Sequence, residues 1–209
     1  MIITIFGATG MVGKHLVKQA LYKGHSVKAF GRNVFTAGFD ENEKLHLIPG
    51  ALFDEQQVFE AVSGSDAVLS ALGGALDGTD KSRSLGMKNI AVQMEKAKLK
   101  RIIAVGGMGS LDNEEEEIIM DTPEFPEKFL AVAKEHFKAY QFLKASSLEW
   151  TVVCPPDIID APATGIYHTA ANRLPIPNNY KINAGDLAMC MLNEITKNEY
   201  VHQRVGISN

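Results

Sequence analysis

The chain has 209 residues, 45% of them hydrophobic and 22% charged, the balance of an ordinary folded domain. A formal charge of -4 leaves no basic surplus for a partner that must be gripped through many phosphates, so nucleic acid is not an expected ligand. No apolar run approaches the roughly 20 residues that cross a bilayer, so no membrane association is expected. Cys154 and Cys190 lie in apolar segments without metal-ligand spacing, and Met1–Phe6 lacks a basic leader. These features predict a reduced, cytoplasmic protein with no metal site.

The first predicted element is a strand at Ile2–Phe6, followed by a glycine-rich turn and a helix from Met11 to Lys23 that Gly24 ends. Strands follow near Ser26–Phe30, Leu45–Ile48, Asp66–Ser70, Arg101–Val105 and Trp150–Cys154, several of them apolar throughout. Helices alternate with them near Glu55–Val62, Asp80–Lys98, Pro126–Ala145 and Gly185–Lys197, the last with Asn183 and Asp186 as cap candidates. Met108–Glu124 has no apolar period and reads as a mobile loop, with Glu114–Glu117 a solvated acidic run. The Pro-, Gly- and Asn-rich stretch 155–183 holds two short strand-like pieces and is expected to cap a substrate. This rhythm predicts one α/β domain over residues 1–209. Its expected architecture is a Rossmann-type, doubly wound, mostly parallel sheet with helices on both faces.

The turn Gly7-Ala8-Thr9-Gly10-Met11-Val12-Gly13 stands between strand and helix, the context in which a glycine pattern carries meaning. Gly7 allows the tight turn, Gly10 lets a pyrophosphate approach, and Gly13 lets helix and strand pack closely. The free N–H groups at the helix start then favour an anion, so a dinucleotide is expected here. After the second strand the chain reads Phe30-Gly31-Arg32-Asn33, with no acid for a ribose 2′-hydroxyl. Arg32 either grips a 2′-phosphate, which predicts NADP(H) over NAD(H), or is a solvated surface arginine.

Three further motifs join the turn and Arg32: Ser70-Ala71-Leu72-Gly73-Gly74, Val105-Gly106-Gly107-Met108-Gly109-Ser110-Leu111, and Trp150 to Pro156. Together they make the chain resemble the atypical short-chain dehydrogenase/reductase family. The branch is that of NmrA-like and biliverdin-IXβ/flavin-reductase-like NAD(P)-binding proteins. The resemblance implies that Ala71, Leu72 and Gly73 pass the adenosine ribose and that Val105, Gly106 and Gly107 floor the nicotinamide site. It also implies that Pro155, Pro156 and Ile158 flank the nicotinamide amide. Leu52 falls where the adenine contact belongs, although the family's aspartate is replaced in Gly50-Ala51-Leu52, and Cys154 stands where an arginine is frequent.

Tyr140 and Lys144 match the family's Tyr-x-x-x-Lys pair, but position argues against them. The strand after their helix rises about 17 Å, equal to about eleven helical residues, which brings His136 rather than Lys144 to the cofactor edge. His136 is then either a proton donor near neutral pH or a helix-surface histidine. Ser110 is either a second catalytic candidate or plain turn chemistry. With no standard donor for ketone reduction, hydride transfer to a flat flavin or quinone is the expected reaction, with Met108, Leu111, Phe129 and Ile158 offering apolar contacts. The alternatives are an NmrA-like redox sensor that binds a protein partner without turnover and, third, a sugar-nucleotide epimerase or dehydratase. Asp157, Tyr167 and His168 lie in the capping stretch with no role assigned.

Overall fold

The computed structural model describes residues 1–209. Ten strands run in chain order: β1 (Ile2–Phe6), β2 (Ser26–Gly31), β3 (Leu45–Pro49), β4 (Ala67–Ser70), β5 (Arg101–Val105), β6 (Glu149–Cys154), β7 (Asp157–Ile159), β8 (His168–Ala171), β9 (Lys181–Asn183) and β10 (Gln203–Ser208). Five helices lie between them: α1 (Met11–Tyr22), α2 (Glu55–Val62), α3 (Ser84–Lys96), α4 (Leu130–Lys144) and α5 (Ala184–Lys197). Eight strands form one sheet in the order β3-β2-β1-β4-β5-β6-β10-β8, and β7 pairs with β9 in a small separate sheet. Every pairing in the large sheet is parallel except that of β8 with β10.

Both faces of the sheet are covered, which is why its central strands are predominantly apolar. Ile3 and Ile5 of β1 pack with Leu16 of α1 and Met191 of α5, whereas Phe6 packs with Val58, Ile90 and Leu143 of α2, α3 and α4. Adjacent residues therefore serve opposite cores, as the two-residue period of a strand requires. The chain runs outward from β1 through β2 to β3, then crosses back to β4 on the other side of β1. That reversal opens a crevice at the carboxyl ends of β1 and β4, the place where ligands bind in such sheets.

Four sequence expectations change. Helix α3 begins at Ser84 rather than Asp80, because Asp80 accepts bonds from the amides of Ala75 and Ser82 and holds that stretch as a loop. A 3₁₀ turn, Glu127–Phe129, precedes α4. Met108–Glu124 is not a featureless loop: it carries 3₁₀ turns at Met108–Ser110 and Ile119–Asp121. Arg204 ties it down by donating to the Ser110 carbonyl and to Asp112, 2.7 Å away. Asp186 does not cap α5. It is fully buried and accepts from the Thr164 and Gly165 amides, the Thr164 hydroxyl and the Asn209 amide, joining residues 164–165 to the last residue of the chain. No helix is long and apolar enough to cross a membrane.

Candidate functional site

The crevice is built first by β1 and the turn that follows it. Gly7 has φ +72°, and a Cβ there would overlap the Ala71 carbonyl. A Cβ on Gly13 would overlap the Gly7 carbonyl and stand 2.8 Å from Ala8 Cα, so α1 lies too close to the strand for any side chain. Beside Gly10, by contrast, the nearest atom to a Cβ would be 3.4 Å away. No side chain caps α1 and no acid lies in its first turn, so its leading N–H groups and positive dipole end stay free for an anion. These residues fit a diphosphate.

A cleft of 440 Å³ extends from this turn across the ends of β4, β5 and β6. Of the expected cofactor residues, Gly10, Met11, Val12, Ala71, Leu72, Gly73, Val105, Gly106, Gly107, Pro155, Pro156 and Ile158 line it. Gly7, Ala8, Thr9 and Gly13 shape the turn beneath, and Arg32 is exposed just past the end of β2. Leu52 lies outside the cleft, packed where a Cβ on Gly86 would stand 2.9 Å from its Cγ. Gly106 packs its backbone so close to β6 that a Cβ would stand 2.6 Å from Val152 and 2.8 Å from Cys154 Sγ. Burial pushes the Cys154 thiol up to about 12, which leaves it a protonated packing residue.

The catalytic candidates separate. His136 lines the cleft, its ring seated against Gly107, where a Cβ would be 3.2 Å from Cδ2. Burial, with the Arg83 charge adding to it, lowers its pKa to about 3. Proton donation from a histidinium near neutral pH is therefore corrected: the imidazole is neutral there and offers only a hydrogen bond. Ser110 does not line the cleft. It is fully buried, and its Oγ has no partner. Tyr140 and Lys144 also lie elsewhere, Tyr140 edge-on to Trp150 at 5.5 Å and both beside a separate cavity of 340 Å³.

Met108, Phe129 and Ile158 reach the cleft as expected of apolar loop residues, whereas Leu111 is fully buried in the core. Asp157 lines the cleft, while His168 is exposed on β8 and Tyr167 packs against the α1/α5 core. Sequence reasoning missed Leu76, Arg83, Phe125 and Ala133, while Val132 stands where matching to the family pattern puts its tyrosine. Arg83 was absorbed into the helix expected from Asp80, and nothing local marks it. Its Nη1 and Nη2 donate to the Ala75 and Gly74 carbonyls at 3.0 and 3.1 Å. Glu135, next to His136, is held ionised below the usual carboxylate range; burial opposes this, but bonds from Ser84 at 2.5 Å and Lys81 at 3.1 Å outweigh it.

Residues 7–198 match the NAD(P)H-binding family. An uncharacterized protein of Bacillus subtilis, YwnB, is 30% identical over 99% of this chain and 98% of its own length. A solved structure from Streptococcus pneumoniae, named as a candidate NADH-flavin reductase, is 27% identical with a TM-score of 0.85, covering 100% of this chain and 99% of that one. Another from Burkholderia pseudomallei, named as a candidate exported protein, is 31% identical with a TM-score of 0.85 over 100% of both chains. An uncapped helix behind a three-glycine turn, at the switch point of a parallel sheet, is the cradle such a family requires. The chain belongs to the NAD(P)H-binding family, whose model its residues 7–198 match.

Proposed function

We propose that the protein is an NADPH-dependent reductase of flat aromatic acceptors of the flavin or quinone type. When bound, the nicotinamide would supply a hydride; the chain's own residues bind, orient and exclude water. The turn and α1 take the diphosphate, and Arg32, exposed after β2 with no acid beside it, takes the 2′-phosphate. Gly106 and Gly107 leave a flat floor, and Leu76, Met108, Phe125 and Phe129 give the same cleft an apolar wall where a ring can stack. Of residues 155–183, Pro155, Pro156, Asp157 and Ile158 line the cleft on the β6 side, and residues 159–183 lie outside it.

The observation that carries this reading is the cleft itself, a diphosphate cradle continuous with an apolar chamber that holds no ionisable proton donor active at neutral pH. Flavins and quinones suit it because solvent can deliver their proton. The same lack favours a second reading, a cofactor-binding sensor that contacts a protein partner without turnover. Two buried free cysteines suit a reduced, cytoplasmic setting for either. Oxidation of NADPH with FMN, riboflavin, biliverdin or menadione decides between them. Turnover with a flat acceptor supports the reductase, and flat rates with all four leave the sensor.

A further inference from the structure

Arg83 is the one lysine or arginine among the residues that line the cleft. It is only 8% exposed, yet it takes part in none of the six ion pairs in the molecule. The nearby carboxylates are already engaged, Asp80 by the Ala75 and Ser82 amides and Glu135 by Lys81 and Ser84. Two loop carbonyls hold the guanidinium in place, while its Nε–H has no partner. The His136 ring lines the same cleft, seated against Gly107. Asp80 and Glu135 offset the guanidinium charge without bonding to it, and each Nη keeps a second N–H beyond the one given to the loop carbonyl.

We propose that Arg83, supported by His136, recognises a negatively charged oxygen carried directly on the acceptor's ring system. The cleft then selects flat aromatic anions, such as ring enolates, phenolates and carboxylates, over neutral rings of the same shape. The apolar wall of Leu76, Phe125 and Phe129 takes the ring, and the guanidinium takes the charge. This rests on reading the cleft as an acceptor site.

The test compares lawsone, an enolate at neutral pH, with menadione, a neutral naphthoquinone of nearly the same shape. Binding to the full chain saturated with NADP⁺ is measured by calorimetry, so that no turnover intervenes. Lawsone is expected to bind at least about tenfold more tightly, the scale of one charge-assisted hydrogen bond. Arg83→Gln should erase that preference and Arg83→Lys should keep part of it, with NADP⁺ affinity unchanged in both. Equal affinities in the unaltered protein, binding of neither quinone, or a preference that survives Arg83→Gln overturns the proposal. The comparison in the unaltered protein stands even if Arg83→Gln does not fold. Loss of NADP⁺ binding with Arg83-dependent lawsone binding intact would sink the nucleotide reading and leave this one standing.

Discussion

Acid should find His136 before it finds most of the fold. In the folded chain its pKa is lowered to about 3, by burial first and then by the charge of Arg83. In the unfolded chain it titrates near 6.5. Between those values the unfolded state binds the extra proton, so stability is full above pH 6.5 and falls as the pH drops toward 3. Each pH unit inside that window costs about 1.4 kcal/mol, which gives about 2 kcal/mol by pH 5 as an upper figure, because part of the ring is open to the cleft. Urea unfolding of the unaltered protein and of His136→Gln, at pH 7 and at pH 5, isolates this contribution. The difference between the two proteins should shift in favour of His136→Gln on going to pH 5, by up to about 2 kcal/mol. An NMR titration should show no change of the His136 ring between pH 5 and pH 8. A midpoint near 6.5, or a stability difference that ignores pH, refutes the assignment of a neutral, desolvated imidazole.

Three further outcomes follow from the packing. Gly13→Ala should cost about 3 kcal/mol or more in chemical denaturation and abolish nucleotide binding, since the atoms its methyl would meet are backbone and cannot swing aside. Arg32→Gln should weaken NADPH about tenfold to a hundredfold in equilibrium binding while leaving NADH unchanged; equal losses for both would remove Arg32 from the 2′-phosphate. Asp186→Ala should cost about 3 kcal/mol, because it orphans the Thr164 and Gly165 amides and removes one of the bonds of the Asn209 side chain. The same substitution should speed hydrogen exchange at residues 164–166, and unchanged exchange there would contradict the anchoring role.

What was legible in the sequence was whatever a local pattern dictates. Ile2–Phe6 and Arg101–Val105 emerge with the bounds expected of them, because strands buried on two faces are predominantly apolar, here with only Thr4 and Arg101 polar. The turn was legible because its glycines answer steric demands within a few residues of themselves. Strand β10 was not: Gln203–Ser208 mixes polar and apolar residues, and Arg204 is there to bond Ser110 and Asp112, some 90 positions earlier in the chain (94 and 92). Part of the cleft lining escaped for a similar reason, since Leu76, Arg83 and Phe125 come from separate segments that only the fold unites. Counting helical rise against strand rise brought His136 to the cleft. Its protonation state could not be counted, because it depends on burial and on the charge of a residue 53 positions away in sequence.

The central claim is that the uncapped start of α1 and its glycine turn hold a dinucleotide diphosphate. Calorimetric titration of the purified protein with NADPH tests it most directly. Saturable one-to-one binding, lost in Gly13→Ala and weakened in Arg32→Gln, is the predicted result. Heats no greater than dilution for both NADPH and NADH would contradict the account at its root.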